Sequence, residues 1–198
     1  MAEKQRMKSM ESVEKEAVER ELKFAQVEHD RLRDRLIEME AERVWSSALE
    51  ENWLFDRDGH LEAEGRLLRL RRDTRGAWIT FKGPATFEGR TKVRVEHETE
   101  VSDADETRKL LEGLGYRVTR RYEKKRELWR VGGVTVALDR TPIGDFAEFE
   151  GEAAEALAKR FGLDPERAER RNYLRLYEDY LKDHPDAPAD MTFDAEEP

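Results

Sequence analysis

"VERELKF", Val18 to Phe24, is the stretch on which the fold turns. Wound as a helix it offers no clean apolar stripe. As a strand, with side chains alternating between two faces, it sets Val18, Arg20, Leu22 and Phe24 on one side and Glu19, Glu21 and Lys23 on the other. An edge strand with one wet face would account for this stretch taken alone, since antiparallel sheets often leave a face in water. The neighbouring strands decide between that reading and a charged interior.

Each of them repeats the pattern. In "LLRLRR" Arg69 and Arg71 lie opposite Leu68 and Leu70, and in "WITFKG" Lys82 ends the face opposite Ile79 and Phe81. "KVRVEHETEV" sets Arg94, Glu96, Glu98 and Glu100 opposite Val93 and Val95. Lys124 and Arg126 share a face of "YEKKREL", Asp139 lies opposite Val136 and Leu138, and Glu148 and Glu150 lie opposite Ala147 and Phe149. A flat sheet would give no reason for charges of both signs on one face. A sheet curled shut makes that face the interior of a barrel.

The shared face then holds seven acids, Glu19, Glu21, Glu96, Glu98, Asp139, Glu148 and Glu150, and seven bases, Lys23, Arg69, Arg71, Lys82, Arg94, Lys124 and Arg126. Burying so many ions costs several kcal/mol each, and apolar residues would do the structural work better, so the charges point to function. Guanidinium groups grip phosphate oxygens in bidentate fashion and lysines add point charge. Carboxylates without His or Cys companions are hard oxygen ligands suited to magnesium or manganese. The face describes a site for a metal and a polyphosphate, and crowded acids would make neutralising Glu19 or Glu21 harmless or stabilising to the fold.

Composition agrees with charge held inside as well as outside. Of 198 residues 42% are charged and 37% hydrophobic, with a mean hydropathy of −0.94, values that would signal disorder but for the aromatics and the repeated alternation. A net charge of −9 argues against broad nucleic-acid binding. Cysteine is absent, which excludes disulfides and thiolate zinc sites and suits a reducing compartment. No apolar run has the length of a membrane span, and residues 1–17 lack the apolar core of a signal peptide, so a cytoplasmic location is expected.

Along the chain, residues 1–16 and the acidic, proline-containing 185–198 read as mobile ends around a single domain, 17–184. "DRLRDRLIEMEAER" carries Leu32, Leu36 and Met39 at helical spacing; "NWLFDRDGHLEAEG" reads as strand with a turn at Asp58-Gly59; "SDADETRKLLEGLG" reads as a helix capped by Ser102. "EAAEALAKRFG" and one continuous helix in "DPERAERRNYLRLYEDYLKDH", opened by Asp164 and Pro165, close the domain. Glu19-x-Glu21 recurs as Glu96-x-Glu98, each before a helix and further strands, which suggests two related halves. About eight consecutive strands against four helices predict an α+β fold, its sheet curled shut into a barrel. His29, His60, His97 and His184 lack ligand spacing and read as surface or outer-face residues, and Trp45, Trp53, Trp78 and Trp129 as packing residues.

The ordered set resembles the CYTH, or triphosphate tunnel metalloenzyme, superfamily, which takes in class IV adenylyl cyclases, thiamine triphosphatases and inorganic triphosphatases. The family's E-x-E-x-K is matched by Glu19, Glu21 and Lys23. "LRLR", the "TFKG" lysine, R-x-E-x-E, K-x-R, the "LD" aspartate and "GDFAEFE" follow in the family's order. The resemblance, over roughly residues 18–180, implies an eight-stranded antiparallel closed tunnel, built from two related halves with helices outside, that binds a triphosphate and Mg2+ or Mn2+. It makes Glu19, Glu21 and Glu150 metal ligands with Asp139 and Glu148 near them, the seven bases triphosphate ligands, and Lys82 with Glu96 or Glu98 catalytic, one of the acids orienting water. "RNYLRLY" looks like the family's S-Y-x-x-L helix with Asn172 where Ser is common. The implied activity is a metal-dependent triphosphatase acting on a small-molecule triphosphate, as monomer or homodimer, without nucleic acid or membrane partners. The alternatives are an adenylyl cyclase making cyclic AMP and pyrophosphate and, in another class, a non-catalytic nucleotide or polyphosphate sensor.

Overall fold

The computed structural model describes residues 18–193; the N-terminal segment expected to be mobile and the last five residues lie outside them. Nine strands form one antiparallel sheet: β1 (Val18–Ala25), β2 (Glu42–Asp56), β3 (Leu67–Asp73), β4 (Gly76–Lys82), β5 (Thr86–Glu88), β6 (Thr91–Val101), β7 (Arg117–Val131), β8 (Val134–Thr141) and β9 (Gly144–Glu150). Their order is β1-β9-β8-β7-β2-β3-β4-β6-β5, and β1 also pairs with β6. That last pairing closes eight strands into a barrel, and the three-residue β5 hangs outside it on β6.

The two halves are visible in the connectivity. β2-β3-β4 and β7-β8-β9 are three-stranded meanders, each introduced by a single strand and a helix, and the first strand of each half pairs with the last strand of the other: β1 with β9, β6 with β4. The longest strands, β2 and β7, join the meanders through registers from Glu42↔Arg130 to Asp56↔Arg117. Closure leaves no edge around the barrel. At its seam the register needs glycine: Gly151 has φ +133°, its N–H donates to Arg20 O at 3.0 Å, and a Cβ there would lie 2.9 Å from Gly133 O.

Three local readings are corrected. The strand expected to begin at Asn52 begins ten residues earlier, at Glu42, and "HLEA" is a one-turn helix, α2 (His60–Ala63), because the Asp56 carboxylate accepts from the N–H groups of Arg57, Leu61 and Glu62 at 2.6 to 3.0 Å and winds the chain there. The turn at Asp58-Gly59 is present, both residues having positive φ. The cap of α3 (Ala104–Gly113) is Asp103, which accepts from Glu106 N at 2.9 Å, rather than Ser102. The final helix is split: Asp164 and Pro165 open only a 3-10 turn, Pro165–Arg167, and α5 (Tyr173–Asp183) starts afresh with Asn172 as its cap, accepting from Arg175 N at 2.9 Å.

Leu22 and Phe24, on the face of β1 opposite the acids, pack with Val136, Leu138 and Phe149 against α1 (His29–Glu38) and α4 (Ala154–Arg160), whose Leu32, Leu36, Leu157 and Ala158 complete the largest core. Leu36 and Leu32 meet the sheet because i and i+4 share a helix face. A second cluster sets Ala104 and Leu111 of α3 on Phe55, Leu70 and Ala77. Both faces of β1 are therefore covered, and the edge-strand account of "VERELKF" fails.

α5 lies differently. Its Tyr173 and Tyr177 pack with Leu54, Tyr122 and Phe146, which share strand faces with the charged residues, so the start of this helix closes one end of the tunnel. β7 outruns β8, which pairs only with Lys125 to Val131, and the bare edge is covered by the tail: Glu123 N donates to Met191 O at 2.8 Å, Met191 N donates to Arg121 O at 3.2 Å, and Met191 is fully buried. Up to Phe193 the segment after 185, expected to be a mobile end, is part of the packed structure. Among the described residues no helix is long and apolar enough to cross a membrane.

Candidate active site

A cavity of about 230 Å³ runs through the barrel. It is lined by all seven bases inferred from strand phase and by six of the seven acids, Glu19, Glu21, Glu96, Glu98, Glu148 and Glu150. The charges alternate in contact. Lys82 Nζ lies 2.9 Å from Glu19 and 2.8 Å from Glu96, and Arg94 Nε donates to Glu19 at 2.9 Å. Lys23 Nζ is 3.3 Å from Glu148 and 3.8 Å from Glu21, which Lys92 also approaches to 3.8 Å. Glu98 is held by Arg71 at 3.0 Å, Arg69 at 3.4 Å and the Thr80 hydroxyl at 2.7 Å.

Asp139, expected among the metal ligands, does not line the cavity. It is wholly buried, and its oxygens accept from Arg126 Nε at 2.7 Å, Arg126 Nη2 at 2.6 Å, Lys124 at 3.1 Å and the Tyr173 hydroxyl at 2.8 Å. Three of these donors converge on Oδ2 and one on Oδ1, so both oxygens are engaged within the protein. Asp139 instead holds two bases and the first turn of α5 in place, while Arg126 also bonds to Glu148.

Several wall residues, and buried groups beside the wall, escaped the sequence reading. Lys92 shares a strand face with Arg94 and could have been found by extending the alternation one step. Glu50 and Asn52, 1% and 0% exposed, precede Leu54 on one face of β2 but fell before or at the start of the strand as read from sequence. Tyr122 shares a strand face with Lys124 and Arg126 and could have been found by the same extension, while Tyr173 lay in the S-Y-x-x-L-like segment without an assigned role and reaches the wall through the packing of α5. Lys23 and Lys124 lie over the Tyr173 ring at 4.1 and 5.3 Å, cation–π contacts that help hold both ammonium groups. None of the four histidines lines the cavity, although His29 is nearly buried rather than at the surface, bonded to Phe146 O at 2.9 Å.

Burial sets the carboxylates against one another, and neighbouring charge decides which are anions. Burial pushes Glu19 up, but Lys82 and Arg94 outweigh it and hold the group well below the usual carboxylate range. Glu148 is held down in the same way by Lys23, Lys124 and Arg126, and Glu50 is brought to about 2 by Lys124, Arg126 and the two arginines of β3 against the effect of its burial. Glu150 goes the other way: burial, then the charges of Glu19 and Glu96, push it up to about 7. Glu96 is also raised, by burial first, with the repulsion of Glu19 added and Lys82 opposing.

The donor set fits a hard divalent cation. Among the described residues no base lies within ion-pair distance of Glu150, and the carboxylates that crowd it are those a cation would draw together. They are not gathered as a ready-made cage: among the described residues no three His, Cys, Asp or Glu groups are arranged to hold an ion, because Glu19, Glu21 and Glu148 are engaged with bases. A polyanion that took over those bases would release the oxygens.

Lys92 supplies a pH test of the wall. Burial lowers it to about 8, with Glu21 opposing and Lys23 and Arg94 adding to the effect. A polyanion bound here above that pH would have to bring a proton back to Lys92, so its affinity is expected to fall as pH rises through 8, approaching tenfold per unit for one required proton. Calorimetry with tripolyphosphate from pH 7 to 10 checks this, and Lys92→Arg should move the fall to higher pH. An unshifted profile in the variant would refute the assignment.

A search of curated proteins finds no match. Among solved structures, a Vibrio parahaemolyticus protein described as a candidate adenylate cyclase is 27% identical, with a TM-score of 0.72 over 81% of this chain and 97% of its own. A Pyrococcus horikoshii protein is 29% identical, with a TM-score of 0.68 over 82% of this chain and 99% of its own. A Hippeastrum protein described as a candidate adenylyl cyclase revealing a dominant triphosphatase activity shares the fold at 18% identity, with a TM-score of 0.63 over 82% of this chain and 96% of its own. The CYTH domain family matches residues 17–173, and with the closed tunnel and its lining this chain belongs to the CYTH family.

Proposed function

We propose that the tunnel binds a triphosphate and hydrolyses it with a divalent metal. The observation that carries this reading is a pair of unsatisfied donors: Arg69 Nε and Arg71 Nε are buried without a partner, on a wall that already turns eight basic side chains, the seven predicted ones and Lys92, toward one cavity. Buried N–H groups without acceptors are costly, and phosphate oxygens are the acceptors that guanidinium geometry suits.

In this reading the bases neutralise the phosphate chain and hold it straight for in-line attack, a role of positioning and charge stabilisation. Glu19, Glu21 and Glu150 would hold the metal, which supplies Lewis-acid polarisation of phosphate oxygens. Between the two acids that could take the water's proton, Glu96 is the better placed. Glu98 is fixed by three donors, whereas the raised affinity of Glu96 for protons suits a general base. Lys82, between Glu19 and Glu96, would move to the phosphate and leave Glu96 free.

Purified protein with magnesium or manganese is expected to release phosphate from at least one of tripolyphosphate, thiamine triphosphate and nucleoside triphosphates; release from none would overturn the proposal. A cyclase, in which the ribose 3′ hydroxyl attacks the α phosphorus, is the second reading, favoured by the description of the Vibrio relative. Chromatography of the ATP reaction separates the two, cyclic AMP with pyrophosphate marking the cyclase and ADP with orthophosphate the hydrolase.

A further inference from the structure

Beyond Arg71 the wall carries a group of side chains that the triphosphate reading does not use. Trp78 shares its strand face with Thr80 and Lys82, and Trp45 pairs in register with the cavity residue Leu128 and donates its indole N–H to Arg126 O at 3.1 Å. The two indoles close on one cation. Arg75, on the tip of the β3–β4 hairpin, places its guanidinium 3.3 Å from the centre of the Trp45 ring and 5.0 Å from that of Trp78. Asp73 folds it into that position by accepting from its backbone N–H at 2.8 Å and from its guanidinium.

Both indoles are half-buried and the Arg75 side chain is 33% exposed, so the clamp is open to solvent. Arg71 joins the two regions: its guanidinium lies 4.7 Å from the Trp78 ring and donates to Glu98 at 3.0 Å on the cavity wall. Flat indole faces bind cations and planar π-systems alike, and a ligand whose phosphates reach Arg71 would bring whatever it carries next to the first phosphate to this clamp. Arg75 occupies the place of such a group.

We propose that Trp45 and Trp78 form a subsite for a planar heteroaromatic ring tethered to the triphosphate, with the Arg75 guanidinium as the internal occupant that the ring displaces. The tryptophans are then ligand residues rather than the packing residues their sequence context suggested. The subsite rests on the triphosphate reading of the cavity, and makes organic triphosphates, nucleotides or thiamine triphosphate, better ligands than the bare inorganic chain. Stacking is tolerant of ring identity, which is why the shared chemistry and not one ring is assigned.

The test compares ATP with methylene bridges at both anhydride positions against the matching bis-methylene tripolyphosphate, each with magnesium, by calorimetry on the full chain. Trp45→Ala and Trp78→Ala are each expected to weaken the adenosine ligand by about tenfold or more, the usual loss when an aromatic platform for a base is removed, and to leave the inorganic one within about twofold, the scatter expected of a side chain that does not touch the phosphates. Arg75→Ala keeps both indoles and is expected to tighten the adenosine ligand alone. In the wild type the adenosine ligand, and thiamine triphosphate at zero time, should quench tryptophan fluorescence where the inorganic ligand does not, a readout that survives if a Trp variant fails to fold. Equal losses for both ligands, or equal quenching by both, would overturn the subsite while leaving the triphosphate reading intact. Failure of the inorganic ligand to bind wild type would overturn the reading on which the subsite rests.

Discussion

Asp139→Ala is expected to cost about 3 to 5 kcal/mol of stability, the range for removing one partner of a buried ion pair. Lys124 would keep only Glu50, at 3.5 Å, and Arg126 only Glu148, with the two cations side by side and the Tyr173 hydroxyl unsatisfied. Chemical denaturation of the metal-free protein measures the loss. Tyr173→Phe removes only the hydroxyl bond to the same carboxylate and should cost about 1.5 to 3 kcal/mol, as for hydrogen bonds to charged groups. If Asp139 were instead a metal ligand, its removal would relieve repulsion among acids and the metal-free protein would not weaken. A stable Asp139→Ala variant that has lost metal affinity would show that the four donors around this residue do not act as its partners.

Glu19→Gln is the second large effect. It removes one charged oxygen from the proposed metal set at nearly constant volume, and turnover is expected to fall by at least about a hundredfold, the scale of losing one preorganised electrostatic group. The sequence suggested that such a change would leave the fold intact or strengthen it. The structure reverses that sign, because Glu19 sits between Lys82 and Arg94 rather than among bare acids. A carboxylate whose folded proton affinity is lowered contributes stability above its unfolded pKa and loses it only as pH falls through the folded value. At pH 7 the variant should therefore be the less stable protein, by about 3 kcal/mol, the low end for a broken buried pair since Lys82 keeps Glu96, and the difference should close only in strong acid. Wild-type turnover at limiting metal would remove Glu19 from the metal set; unchanged stability would mean that its two bases find other partners.

Much of this was legible in the chain because strand phase is a local property. Side chains alternate with a period of two whatever the sheet does next, so Glu19, Glu21 and Lys23 were assigned to one face, and thirteen of the fourteen charges so assigned line the cavity. Closure was also inferable, since a sheet whose apolar face packs helices can bring a charged face together only by curling. Recurrence of E-x-E before a helix and three strands located the two halves, and the exchange of first strands between them follows from that repeat only once the pairings are known.

What the sequence could not carry was which charge meets which. Asp139 and Glu148 follow the same alternation, yet the one is buried under Lys124, Arg126 and Tyr173 and the other stands on the cavity wall. That difference arises because α5, more than thirty residues later in the chain, brings Tyr173 to the carboxylate. The low proton affinity of Glu19 and the high one of Glu150 likewise come from registers between strands far apart in sequence, Glu19↔Arg94 and Glu21↔Glu150 among them. Phase is set by each residue's neighbours in the chain, but electrostatics falls off with distance in space, and only the closed barrel fixes those distances.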